Sequence, residues 1–170
     1  MNFLELAKAR YSCRKMSEKP VEPEKLEQIL QAGIAAPTAK NLQPYKIWVI
    51  KSAEAMEKIK QATHFTFGAN IVLAIGGKKS EAFVRPSDNE NFAIVDASIV
   101  ATHLLLAIQD AGLATTWVGM FDAPKMKELF PEMQDYELVA LFPLGYAADD
   151  AKPSPRHEDR RSMNEAVVSL

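Results

Sequence analysis

The sequence is poor in the residues that would commit it to several common designs. Cys13 is the only cysteine among 170 residues, so no intramolecular disulfide forms and no thiolate pair exists for a structural zinc site. A reducing compartment, the cytoplasm, is therefore expected. Glycine occurs 7 times, never as Gly-x-Gly-x-x-Gly, Gly-x-x-x-x-Gly-Lys-Ser/Thr or Gly-x-Ser-x-Gly. That removes a Rossmann dinucleotide site, a P-loop and a hydrolase nucleophile elbow. His64, His103 and His157 lie far apart, without the short spacing that puts two ligands on one metal, and no metal is expected. An excess of one charge is also missing: 20 Lys and Arg face 22 Asp and Glu for a net charge of −2. A protein that coats nucleic acid needs a broad basic face, so no nucleic-acid partner is expected. The most apolar stretch, Phe92–Ala111, is interrupted by Asp96, His103, Gln109 and Asp110, short of the roughly 20 mostly apolar residues of a membrane span. The opening MNFLELAKARYSCRK alternates charged and apolar residues and does not read as a secretory signal.

What is present is average for a globular chain: 48% hydrophobic and 25% charged residues, at a length suited to one domain over 1–170. Asn2 suits the cap of a helix Phe3–Ala9. Pro23 suits the first turn of a second helix, whose Leu26, Ile29, Leu30, Gly33 and Ile34 form one stripe until Pro37. Strands are expected at Tyr45–Ile50, Ile71–Ile75, Ala114–Val118 and Glu137–Leu144, where β-branched and aromatic residues concentrate. Ser52 is expected to cap a helix to about Gln61, and Asp122-Ala-Pro to start another. Lys78–Asn91 is charged and aperiodic and reads as a mobile loop. Phe92–Ala111 reads as a buried helix ended by Gly112; being apolar on nearly every side, it must be covered by its own domain or by a second subunit. Helices and strands alternate irregularly, without a βαβ repeat, which predicts an α+β fold with one sheet packed between helices.

Two segments carry possible chemistry. Arg10-Tyr11-Ser12-Cys13-Arg14 sets two permanent cations four residues apart around a hydroxyl, an arrangement suited to phosphate or a planar acceptor pair; a solvated surface patch is the plain alternative. Cys13 alternates away from these side chains and reads as structural. In Pro37-Thr38-Ala39-Lys40-Asn41-Leu42-Gln43-Pro44 two prolines restrict a loop rich in donors and acceptors, as expected of a segment that reads the polar edge of a ring. An ordinary helix-to-strand connection looks similar.

Together these segments resemble the nitroreductase family, with its Arg-x-Ser-x-Arg/Lys and Pro-Ser/Thr-x-x-Asn-x-Gln-Pro motifs. Asp96-Ala-Ser through Ala111-Gly-Leu-Ala-Thr-Thr-Trp-Val-Gly119 resembles the family's central helix and following strand. Phe142-Pro-Leu-Gly-Tyr146 and His157-Glu-Asp-Arg-Arg161 resemble its last strand and tail. The resemblance implies a mostly antiparallel sheet between helices, a homodimer with FMN sites at its interface, and non-covalently bound FMN. It further implies hydride transfer from NADH or NADPH through flavin N5 to a nitro compound, quinone or similar small acceptor, with ping-pong kinetics. By resemblance Arg10 and either Arg160 or Arg161 meet the phosphate, with Arg160 preferred, Ser12 meets the ribityl or phosphate region, and Tyr11 belongs to the cofactor-binding set. Arg14 tunes the N1/O2 edge, and Trp117, Val118 and Gly119 approach N5. Pro37, Thr38, Ala39, Asn41 and Gln43 border the flavin, partly from the second subunit. No side chain is expected to act as acid, base or nucleophile. Tyr45 replaces a common Trp, and His64–Asn70 is too short to show the additional Asn and Lys that larger members place near the pyrimidine. A flavin-binding protein without turnover is the alternative of another class.

Overall fold

The computed structural model describes residues 2–170; Met1, the first residue of the expected domain, lies outside the described residues. A reciprocal cap opens helix α1 (Phe3–Ala9): Asn2 accepts from the Glu5 N–H and Glu5 from the Asn2 N–H, both at 3.0 Å. Pro23 starts α2 (Pro23–Ile34), which buries Ile29 and Gly33. After β1 (Tyr45–Ile50), the Ser52 hydroxyl caps α3 (Ala53–Ile59), two residues shorter than the sequence suggested. β2 (Ile71–Gly77) leads to α4 (Ala93–Asp110), and the Asp122 carboxylate caps α5 (Ala123–Leu129). β3 (Glu137–Leu144) closes the sheet, and the tail carries one further turn of helix, α6 (Met163–Ala166).

The strands run β1-β2-β3, antiparallel throughout, and the fold class is α+β. Ile29, Leu73, Ile75, Val100, Leu104 and Phe142 form the core beneath α2 and α4. Met56, Ile59, Val72, Ala74, Met126 and Leu141 form a second core beneath α3 and α5. β2 is covered on both sides, which is why its sequence is continuously apolar rather than alternating. α4 is long and apolar enough to cross a membrane by length and composition; it packs on α2, β2 and β3 instead. Its N-terminus presses onto the sheet at Gly77, where a Cβ would lie 2.1 Å from the Ala93 carbonyl oxygen, so only glycine fits there.

The register defines two ends. At one, Ile71 faces Leu144 and Val72 faces Ile50; at the other, Gly77 faces both Tyr45 and Glu137. At about 3.3 Å per residue these ends lie roughly 20 Å apart.

One expectation needs correction. Ala114–Val118 is not a ladder strand: it bridges Gly145 through Ala114 and Leu141 through Val118, with no continuous pairing between. The register puts Thr116 opposite Pro143, which has no N–H to donate, so the ladder is interrupted at its centre. Lys78–Asn91 is a loop, as expected, with ties of its own. Val84 bridges Asn91, Arg85 pairs with Asp88, and the Phe83 and Phe92 rings meet edge to face at 5.4 Å.

Candidate functional site

Arg10 caps the C-terminus of α1, and from it the chain runs extended along the Leu144 end of the sheet. The Cys13 N–H donates to the Thr115 carbonyl at 3.0 Å, Met16 to Phe67 at 2.9 Å and Ser17 to Tyr146 at 2.8 Å. These bonds bury Cys13 completely, while its neighbours Ser12 and Arg14 line a cavity. The tail closes the other side. Ser154 caps the turn Pro155–His157, and His157 Nε2 sits 3.2 Å from the Lys8 carbonyl oxygen at the end of α1. Arg160 Nη1 donates to the carbonyls of His157 and Asp159, each at 2.6 Å.

The result is a cavity of about 270 Å³ holding the guanidinium groups of Arg10, Arg14, Arg156 and Arg160, with Ser12, Ser154 and His157 between them. Among the described residues no carboxylate lines it. Burial, and then the charge of Arg160, pull the Arg10 guanidinium below its ordinary value. Cations drawn together without a counter-ion repel one another in a partly dehydrated setting, and a bound anion relieves the repulsion. Arg161 is exposed and lies outside this lining; Tyr11 is half-buried, with its ring edge-on to His157 at 6.3 Å, and also lies outside it.

Arg14 also lines an adjoining cavity of about 150 Å³ with Phe65, Phe67, Thr116, the main-chain stretch Trp117–Gly119 and Met120. The Val118 N–H donates to Leu141 at 3.0 Å, and alternation along an extended chain turns the Trp117 and Gly119 amides to the other side. Trp117 rests edgewise on Phe142 at 5.4 Å and stays 37% exposed. A Cβ on Gly119 would meet nothing within 4 Å, so that side is open. The Thr63 hydroxyl, donating to the Met120 carbonyl at 3.0 Å, fixes the end of the stretch.

The loop Pro37–Pro44 lines neither cavity. It leads into Tyr45, at the opposite end of the sheet. Thr38 Oγ1 accepts from the Gln43 N–H at 3.0 Å, Gln43 Nε2 donates to the Asn41 carbonyl at 3.1 Å, and the Ala39 N–H donates to buried Asp96 at 2.9 Å. Lys40, Asn41 and Gln43 hold φ values of 52°, 55° and 53°, a conformation costing on the order of 1 kcal/mol or more for a residue other than glycine.

One chain thus gathers Arg10, Ser12, Arg14 and Arg160 at one cavity and Trp117, Val118 and Gly119 at its neighbour, and leaves Pro37, Thr38, Ala39, Asn41 and Gln43 apart. Sequence reasoning missed Ser154, Arg156, Phe65 and Phe67. The Phe-x-Phe spacing of 65 and 67 was a visible signal; Arg156 was visible as part of a basic tail whose destination is a tertiary fact. Among the described residues no group of metal-ligating side chains occurs.

Comparisons with known proteins agree with this architecture. A family model described as the nitroreductase family matches residues 7–65 and 63–146. The crystal structure of a nitroreductase family protein from Clostridium difficile 630 superposes with a TM-score of 0.91 at 35% identity, covering 99% of this chain and 98% of that one. A protein of Archaeoglobus fulgidus assigned as an NADH dehydrogenase/NAD(P)H nitroreductase is 28% identical, over 86% of each chain. A protein of Exiguobacterium sibiricum 255-15 assigned as a nitroreductase, solved in complex with FMN, shares the fold with a TM-score of 0.84 at 22% identity, covering 100% of this chain and 98% of that one.

Proposed function

The chain belongs to the nitroreductase family, and from that premise we propose that it is an FMN-dependent oxidoreductase. It takes a hydride from NADH or NADPH and delivers it to a small organic acceptor such as a nitro compound or a quinone. The observation that carries this reading is the cavity lined by four arginines and, among the described residues, no carboxylate, joined through Arg14 to an aromatic-walled cavity. A dianionic phosphate attached to a flat ring needs that pairing of environments.

Bound FMN supplies hydride acceptance and donation at its N5. The chain's residues do the rest. Arg10 and Arg160 hold the phosphate by charge-assisted bonds, and Ser12 offers a hydroxyl to the ribityl region. Arg14, on the wall common to both cavities, places a fixed positive charge at the N1/O2 edge, which favours the more negative reduced form. Phe65, Phe67 and Trp117 offer apolar surface to the ring, and the Trp117 and Gly119 amides serve its N5 side. Hydride transfer demands proximity and orientation rather than a side-chain acid or base.

The register adds the assembly. The Pro37–Pro44 loop leads into the sheet end opposite the arginines, so for loop and arginines to border one flavin the loop must come from a second copy. The exposed apolar residues Phe3, Leu4, Ile34, Leu42, Ile94 and Val95 are consistent with such a contact. The functional unit is a homodimer with two interfacial sites.

The test is anaerobic addition of NADH or NADPH to the purified, FMN-loaded protein. Bleaching of the flavin absorbance, and parallel double-reciprocal plots with a quinone or nitro acceptor, are expected. Persistent colour indicates a flavin-binding protein without turnover; a protein that refuses FMN sinks both readings.

A further inference from the structure

We propose that Asp96 is a positioning residue, holding the Thr38–Gln43 loop in the form in which it meets the flavin. Its relevance to the flavin rests on the reading above; the anchoring does not. Asp96 is 1% exposed in the first turn of α4, and its Oδ1 accepts the Ala39 N–H at 2.9 Å across 57 residues of sequence. Its Oδ2 is buried without a partner among the described residues. A buried carboxylate with one oxygen unpaired is a costly way to fill a helix–sheet junction. An apolar side chain would fill it at lower free energy, so the feature left to explain is the acceptor itself.

The loop explains it. Lys40, Asn41 and Gln43 all sit at positive φ, and the Thr38–Gln43 and Gln43–Asn41 bonds tie the loop only to itself. The Ala39–Asp96 bond ties it to the body of the chain. Asp96 is a fixed reference point, because α4 is seated through the contact of Ala93 with Gly77 and the positive end of the helix field favours an anion in its first turn. Sheet, Gly77, Ala93, Asp96 and Ala39 form a continuous rigid path that sets where the loop stands. The bond from the Lys78 N–H to the Pro44 carbonyl at 2.7 Å fixes only its far end.

Three variants test this. Asp96→Ala removes the acceptor. Ala39→Pro breaks the tie from the loop side, replacing the donor with a ring carbon that cannot approach Asp96 Oδ1 as the N–H does; Thr38 is extended at φ −134° and ψ 159°, and Ala39 opens a helical turn, so proline fits the backbone. Asp96→Asn keeps an acceptor oxygen and serves as the rescue. In the FMN-free protein, amide exchange at Asn41 and Gln43 is expected to rise about tenfold in Asp96→Ala and in Ala39→Pro, and to stay within about threefold of the unaltered chain in Asp96→Asn. FMN affinity is expected to follow the same order, falling about tenfold or more in the first two. Unchanged loop exchange in both disruptive variants, or an Asp96→Asn as impaired as Asp96→Ala, overturns the proposal. So does a lowered Tm with loop exchange and FMN affinity intact, the mark of a merely structural carboxylate. If the unaltered protein binds no FMN, the functional reading fails while the exchange measurement still decides the anchor. If Asp96→Ala does not fold, Ala39→Pro decides it from the donor side.

Discussion

The two ends of the sheet are poised in different ways. Where Ile71 faces Leu144, the positive-φ strain is confined to Phe67 at φ 51°, and the charges are out of balance: four arginines line one cavity with no carboxylate among the described residues. Where Tyr45 faces Gly77, the charges are matched, Lys78 with Glu81 at 2.6 Å and Lys79 with Glu137 at 3.2 Å, and the backbone is strained at Lys40, Asn41 and Gln43. Electrostatic repulsion is relieved by a ligand and restored when it leaves. Backbone strain held by internal hydrogen bonds persists either way. One end is thus built to respond to a ligand and the other to keep its shape.

The sharpest way to break this contrast is to neutralise the first end. With Arg10 and Arg160 both changed to Ala, two charge-assisted contacts worth about 1.5–3 kcal/mol each disappear. FMN affinity is expected to fall about 10²- to 10⁴-fold, measured by flavin fluorescence titration, while exchange at Asn41 and Gln43 stays as it was. A loosened loop in that variant would mean the ends are not independent. The second end is next: Gly77→Ala drives a Cβ into the Ala93 carbonyl, a backbone group that cannot step aside. A loss of about 1–3 kcal/mol in urea unfolding is expected, with faster loop exchange because Asp96 moves with α4. Full stability would show that α4 is seated less tightly than the contact implies.

A smaller effect has an unusual sign. Because Arg160 contributes to lowering the Arg10 pKa, Arg160→Ala is expected to stabilise the FMN-free chain by up to about 1 kcal/mol, a rise of about 2–4 °C in Tm at the upper limit. The same change is expected to lower the Tm of the FMN complex. Melting both forms of both chains checks this, and a drop in the FMN-free form would show that Arg160 acts mainly through its bonds to the His157 and Asp159 carbonyls.

The sequence was most informative where structure is local. Asn2 and Glu5, Pro23, Ser52 and Asp122 are caps or first-turn residues that act over three or four positions, so α1, β1 and β3 appear with the expected bounds. It failed at Ala114–Val118 because the decisive residue, Pro143, is remote in sequence and acts only once the chains are aligned. At the site, the Arg10–Arg14 spacing was legible because it lies on one extended segment. The tail's Arg156 was not, since only the contact of His157 with the Lys8 carbonyl brings it back over α1. Asp96 was visible as part of a motif, but its tie to Ala39 spans β1, α3 and β2, a separation that no local pattern encodes.

The smallest expected effect shows how charges behave when they are matched at the arginine end. The Tyr146 hydroxyl lies 2.7 and 2.9 Å from the two Glu22 carboxylate oxygens and accepts from Lys25 Nζ at 2.9 Å, pinning the start of α2 to the end of β3. The Tyr146 hydrogen bond, ahead of a local backbone bond and the nearby lysines, holds Glu22 below the usual carboxylate range, and the same hydroxyl leads in raising Lys25. A depressed carboxylate stabilises the fold above its unfolded value of about 4.3, and that contribution is lost as pH falls through the lower folded value. A raised lysine stabilises below its unfolded value of about 10.4, and that contribution is lost as pH climbs through the higher folded value. Tyr146→Phe removes both at once, so its stability deficit is expected to be largest across the neutral plateau and to shrink towards both extremes. Both partners are partly exposed to solvent, so added salt should shrink it too. No deficit at any pH would mean the tyrosine matters through its ring, which phenylalanine keeps beneath Lys19 Nζ, 3.8 Å away, and not through its hydroxyl.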